Sequence, residues 1–283
     1  MLKLKEVTIC AVDCSMPKLA QRALRKSMES CVFGESILFT NDELDNIAGI
    51  RVVRIDPLGS IQDYSKFIMK ELHKYISTPY VLIIQWDGYV LDHMAWNSDF
   101  LGFDYVGAKW PWHHDGKNVG NGGFSLRSKK LLDAVATVDI PFLGDSPEDD
   151  QICRIYREKL EGKFGIKFAN EEIADQFSYE RSLPDVSTFG FHGLFNIWRY
   201  LDDGEINELS REFSTSVYSS LSFYEFFLQY FLLRRFAPLK VLYSHLKVHS
   251  SALEIHGNVL SITKDENFTK LFIALCDEMI LKG

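Results

Sequence analysis

Apolar residues in the first third of this chain fall into short bounded runs separated by helical spacing. Residues 7–12, 36–39, 50–55 and 80–84 are such runs, and they predict strands buried on both faces of a sheet. Between them, Ala20, Leu24, Met28 and Cys31 recur at helical spacing behind Ser15 and Pro17. Tyr64, Phe67, Ile68, Leu72, Tyr75 and Ile76 mark a second helix. Strands alternating with helices over short connections predict an α/β fold with a mostly parallel, Rossmann-like sheet flanked by helices.

Each strand run stops at polar residues: Asp13, Asn41 with Asp42, Asp56, and Asp87. Parallel strands bring these ends to one edge, where open α/β sheets bind ligands. The sharpest stop is Ile83-Ile84-Gln85-Trp86-Asp87-Gly88, which places Asp87 to face a ligand or its metal ion. Asp-Gly between apolar runs is also a hairpin signal, so the stretch alone supports a tight turn equally.

Further along, Gly120-Asn121-Gly122-Gly123 puts three glycines in four positions, where a backbone can approach another group closely. Phe124 and Leu126 return the chain to the core, and a helix from Ser128 carries Leu131, Leu132 and Val135. The glycines match neither a dinucleotide fingerprint nor a P-loop, and Arg127 stands where a nucleophile elbow at Ser125 needs glycine. In Asp145-Ser146-Pro147-Glu148-Asp149-Asp150, Ser146 can cap a helix, Pro147 can occupy its first turn, and the acids suit its dipole. A carboxylate at a helix start on a cleft rim can equally act as a general base. His192, in Phe189-Gly190-Phe191-His192-Gly193, is a candidate metal ligand or a structural histidine.

From about residue 194 the character changes. An aromatic-rich helix is predicted over 223–236, short polar–apolar alternation runs over 241–262, and a last helix covers 268–281. Phe226, Phe227, Tyr230, Phe231, Arg234 and Arg235 on the first of these suit either docking on a membrane surface or a core.

With 283 residues, 46% of them hydrophobic, the chain can bury a large core without staples. A net charge of -8 argues against nucleic acid as the main partner. Five cysteines without metal-ligand spacing suggest reduced thiols in a cytoplasmic protein. No apolar run reaches the roughly 18 residues that span a bilayer, and the N-terminus lacks signal-peptide features, so the expectation is a soluble protein, at most peripheral to a membrane.

The motifs Gln85-Trp86-Asp87-Gly88, Val119-Gly120-Asn121-Gly122-Gly123-Phe124-Ser125-Leu126-Arg127, Pro147-Glu148-Asp149 and Phe189-Gly190-Phe191-His192-Gly193 stand in an order that resembles glycosyltransferases of the GT-A fold. More narrowly, they resemble a little-characterised bacterial family of glycosyltransferase-like proteins, over about residues 5 to 195. The resemblance implies a GT-A-like catalytic domain over 1–195 and a mainly helical extension over 196–283 with an acceptor, oligomer or membrane-surface role. It implies a nucleoside-diphosphate sugar as donor, a uridine (UDP) one, with Asp13 and Lys66 on the nucleotide and Gln85, Asn121, Gly122 and Gly123 around the rest. Mn²⁺ or Mg²⁺ would be held by Asp87 and His192. Asp149, or Glu148 as second choice, would be the base of an inverting transfer to a hydroxyl of a glycan or lipid-linked acceptor, in polysaccharide biosynthesis at the inner membrane face. The family's Asp-x-Asp appears here as Gln85-Trp86-Asp87, which leaves metal dependence open. Two other classes remain. A sugar nucleotidyltransferase would need a glycine- and lysine-rich loop that Val12-Asp13-Cys14-Ser15-Met16-Pro17 lacks, and a non-catalytic nucleotide or sugar binder is favoured by Gln85 but disfavoured by Asp149 and His192.

Overall fold

The computed structural model describes residues 1–44 and 48–281. They form two compact units, Met1–His192 and Gly193–Gly283. The first is built on a six-stranded sheet of β1 (Leu2–Val12), β2 (Cys31–Thr40), β3 (Arg51–Arg54), β4 (Tyr80–Ile84), β5 (Tyr105–Val106) and β6 (Phe124–Ser128). The order across it is β3-β2-β1-β4-β6-β5. The first four strands pair in parallel, while β6 runs antiparallel to both β4 and β5. The expected α/β architecture, a mostly parallel sheet flanked by helices with a helical C-terminal part, is present.

Helix α1 (Pro17–Met28) packs on β1 and β2. On the α2 (Ile61–Lys70) and α3 (Lys129–Ala136) side, Phe67, Ile68 and Leu132 bury against Cys10, Val12, Ile37, Phe39, Val81 and Ile83. The alternation of those strand positions is the period-two pattern of a sheet covered by helices. Two boundaries differ from the sequence reading. Cys31, counted with α1, opens β2, and β1 starts at Leu2, because Leu2, Lys3 and Leu4 pair with Cys31, Val32 and Phe33 before a register shift. The exposed Lys5 and Glu6 hid that extension.

Because β1 to β4 are parallel, Val12, Thr40, Arg54 and Ile84 all end at one edge, and the antiparallel β6 starts there. The Asp87-Gly88 stop is a tight turn, closed by the Gly88 N–H donating to the Gln85 carbonyl at 3.1 Å. It is not a hairpin, since the antiparallel neighbour of β4 is β6, about 40 residues on.

The second unit holds α7 (Leu194–Ile197) to α13 (Glu266–Leu281). Its centre is α10 (Leu221–Leu232), where Phe223, Tyr224, Phe226, Phe227 and Tyr230 are fully buried. Phe226, Phe227 and Tyr230 are therefore core and not a membrane-facing stripe, and Arg235 binds the Asp203 carboxylate. The stretch read as alternating is two helices, α11 (Phe236–His249) and α12 (Ala252–Thr263). Leu239, Leu242, Tyr243 and Leu246, three and four apart, are the buried stripe of α11. Among the described residues no helix is long and apolar enough to cross a membrane, and all five cysteines are free thiols.

Candidate functional site

The strand-end edge is closed by a backbone hydrogen bond and by side chains that pack directly on glycines. The Gln85 N–H donates to the Gly123 carbonyl at 2.9 Å, which ties the end of β4 to the start of β6. A Cβ on Gly122 would lie 2.3 Å from Glu148 Oε1, and one on Gly123 would lie 2.1 Å from His192 Nε2. The place a side chain would take at each of these glycines is thus filled by the protein's own carboxylate and imidazole. Between Gly120 and Gly122, Asn121 takes a left-handed φ of 64°, which asparagine tolerates better than most residues. It is 4% exposed, and its side-chain oxygen accepts no hydrogen bond. With only the His192 ring beside it, this buried amide on the cleft wall has hydrogen-bonding capacity left for a ligand.

His192 arrives from a second, two-stranded sheet in which β7 (Ser178–Tyr179) pairs in parallel with β8 (Gly190–Phe191). Its Nε2 lies 3.1 Å from Gln85 Oε1 and 3.2 Å from Asp87 Oδ1. Its Nδ1 lies 3.3 Å from Glu180 Oε1 and 3.3 Å from Asn121 Nδ2. Burial opposes a charge on the ring, but Asp87 and Glu180 outweigh it and hold His192 up to about 10. Among the described residues no group of three or more His, Cys, Asp or Glu side chains is arranged to hold a metal ion, and the His192 ring would have to give up its proton before its Nε2 could ligate one beside Asp87 and Gln85.

The acidic helix start faces the same turn. Helix α4 (Glu148–Asp150) follows Pro147, and its N-cap makes no side-chain bond, so Ser146 does not cap it. The chain then widens into a π-turn over Gln151–Ile155. Glu148, 3% exposed, is paired at 2.5 Å with Arg127, which is fully buried on β6 and stacked 5.1 Å over the Tyr105 ring. The other Glu148 oxygen accepts the Asp149 N–H at 2.6 Å. Asp149 in turn accepts the Gly122 N–H at 2.9 Å and the Asp150 N–H at 2.9 Å. Burial first, then the charge of Glu148, pushes the Asp149 carboxyl up to about 7, against those N–H bonds and Arg127. A carboxyl near neutrality can exchange a proton at physiological pH.

Gln85, Asn121, Gly122, Gly123, Glu148, Asp149 and His192 line one cleft of about 320 Å³. Asp87 reaches it through His192. Asp13 is spent on its own loop, accepting the Ser15 and Met16 N–H groups, and burial holds its carboxyl above the usual range, with the Asp87 charge adding. Lys66 is exposed on α2 and does not line the cleft. The sequence reading missed Glu180, Arg127 and two cleft-lining tryptophans, Trp110 and Trp112. The tryptophans stand in the aromatic- and glycine-rich stretch Phe103-Asp104-Tyr105-Val106-Gly107-Ala108-Lys109-Trp110-Pro111-Trp112, which by itself assigns them no role, and nothing local marks Glu180.

No curated protein matches the chain. Among solved structures, the crystal structure of the galactosyltransferase LgtC in complex with donor and acceptor sugar analogues superposes with a TM-score of 0.42 at 14% identity, covering 65% of this chain and 86% of that one. A structure of an active-site mutant of LgtC gives 0.41 at 15% identity over the same shares, 65% and 86%. Residues 48–192 match the family described as "Protein of unknown function (DUF5672)", and the chain belongs to that family.

Proposed function

We propose that this chain is a glycosyltransferase that moves a sugar from a nucleoside diphosphate, a uridine one, to a hydroxyl of a glycan or lipid-linked acceptor, with inversion. The observation that carries this reading is the convergence of Asp149, Asn121, Gln85 and His192 on one cleft at the strand-end edge. Asp149 takes the proton from the acceptor hydroxyl as that oxygen bonds to the anomeric carbon. The diphosphate leaves from the opposite face with the electron pair of the broken bond. Glu148 is the poorer base, because its carboxylate is committed to Arg127. Its work is to orient Asp149 through the Asp149 N–H.

A bound Mn²⁺ or Mg²⁺ would neutralise charge on the departing diphosphate. Asp87, His192 and Gln85 would hold it, and Glu180 would steady His192 from the far side of the ring. Asp13, whose carboxylate accepts the Ser15 and Met16 N–H groups, would meet the nucleotide through the loop it orders. Lys66, pointing into solvent, reaches a nucleotide only if its side chain swings inward. Residues 1–195 form the catalytic domain, and 196–283 serve the acceptor, an oligomer contact or a membrane surface. Five free thiols support a reducing, cytoplasmic location.

The test is a thermal-shift screen against nucleoside diphosphates and their sugars, each with and without Mn²⁺, followed by slow donor hydrolysis. A ligand at 100 times its dissociation constant stabilises a fold by about 2.7 kcal/mol. A shift with one nucleoside diphosphate, followed by hydrolysis that Asp149→Asn abolishes, is expected. No shift with any of them would sink the reading. Binding without hydrolysis would favour the non-catalytic binder, which Gln85 in place of an acid already suggests.

A further inference from the structure

Trp112 is 54% exposed on the lip of the cleft, and Ile61, 61% exposed, also lines it. Scattered apolar side chains on a surface need no explanation, but a large indole facing a polar cleft beside an open amide and a carboxyl is a different arrangement. The segment that carries it is fixed. The Trp110 N–H donates to the Asn118 carbonyl at 2.8 Å, and Lys109 bridges Val119. The Trp110 ring covers Gly120 so closely that a Cβ there would lie 2.1 Å away. Trp110 also shares a buried cluster with Ile152 and Cys153, in the turn that follows Asp149. Pro111 stiffens the next step, and the Trp112 ring rests edge-on against His113 at 5.9 Å. Arg154 also donates to the Lys117 carbonyl and the Asp115 carboxylate, so Trp112, its own ring not buried, is held in a segment that packs on the residues following Asp149.

We propose that Trp112 is the stacking platform for the acceptor, and that the acceptor is a saccharide. This rests on the transferase reading above. A pyranose has a face of C–H groups that lies flat on an aromatic ring, while its rim presents hydroxyls. Stacked on Trp112, such a ring keeps its rim free for the Asn121 amide and sends one hydroxyl toward Asp149. A nucleobase could stack on the same indole, but it would then occupy the Asp149 side, where the attacking hydroxyl has to be.

Saturation-transfer NMR tests this with cellobiose and lactose as saccharide probes and UDP as a separate probe. Wild type, Trp112→Ala and Trp112→Phe are compared, and each is first shown by thermal melt to be folded. The expected result is transfer to the C–H protons of one sugar face, about tenfold weaker saccharide binding in Trp112→Ala, and recovery of most of it in Trp112→Phe. The UDP signal should be the same in all three. Saccharide binding that is absent from the wild type, or unchanged in Trp112→Ala, overturns the platform. UDP binding lost together with the indole makes Trp112 a nucleobase platform and overturns it too. Wild type that binds the saccharides through Trp112 but ignores UDP leaves the platform standing and removes the donor reading instead.

Discussion

Replacing Asp149 by asparagine should change how stability depends on pH, whatever the protein's substrate. In the folded state the carboxyl keeps its proton up to about pH 7, whereas the ordinary value is 3.8. Between those two values the folded protein binds more protons than the unfolded chain, so stability falls as pH rises and the full cost is present above about 7. At about 1.4 kcal/mol per pH unit, the part of that loss between about pH 5 and pH 8 is on the order of 3 kcal/mol. Asp149→Asn cannot ionise and removes this slope. It also turns an NH₂ group toward either the Gly122 or the Asp150 N–H, at a cost of about 1–3 kcal/mol that does not vary with pH. Urea titrations of wild type and variant at both pH values, followed by circular dichroism, separate the two effects. Other groups titrate in both proteins and cancel in the difference. The wild type should lose about 3 kcal/mol relative to the variant on going to the higher pH. A difference that stays constant within about 0.5 kcal/mol would refute the account of why this carboxyl is held up.

Gly123→Ala puts a Cβ 2.1 Å from His192 Nε2 and should cost about 1–3 kcal/mol, while Gly144→Ala, where the space is open, serves as the control. Equal melting temperatures for the two would contradict the close approach. Arg127→Met strands the buried Glu148 carboxylate and should cost about 3–5 kcal/mol by urea titration. Adding Glu148→Gln should recover part of that, and a double variant no better than the single one would show that the cost lies elsewhere. Glu180→Gln should weaken Mn²⁺ binding about 10–100-fold by calorimetry, and unchanged affinity would detach Glu180 from the ion.

The sheet was legible because the last residues of β1, β2 and β4 are buried on both faces and therefore read as short, largely apolar runs. The polar residues at their ends marked the edge where the cleft lies. The antiparallel direction of β6 was not legible, since direction is set by which strand it pairs with and not by its own five residues. Ser146 looked like a cap because the local pattern allows it, but the first turn is organised by Glu148 and Asp149 themselves. Gly122 and Gly123 were correctly marked as places of close approach, yet sequence could not tell a ligand from a neighbouring side chain. Glu180 meets His192 only because Ser178 and Tyr179 pair with Gly190 and Phe191. No local pattern carries a contact made that way.

That pairing makes the site depend on a contact between distant parts of the chain. Gln85 and His192 touch across a separation of 107 residues, through a two-stranded ribbon only two residues long on each side. So short a ribbon contributes little on its own, and it stays in place because the sheet edge beneath it is already built. The segment is clasped by its side chains, with Phe189 and Phe191 fully buried, and by the Leu91 N–H donating to the Phe189 carbonyl at 2.8 Å. Lesions that loosen this clasp would erase ligand binding while leaving the circular dichroism spectrum almost untouched, so affinity would sense damage here sooner than helix or strand content does.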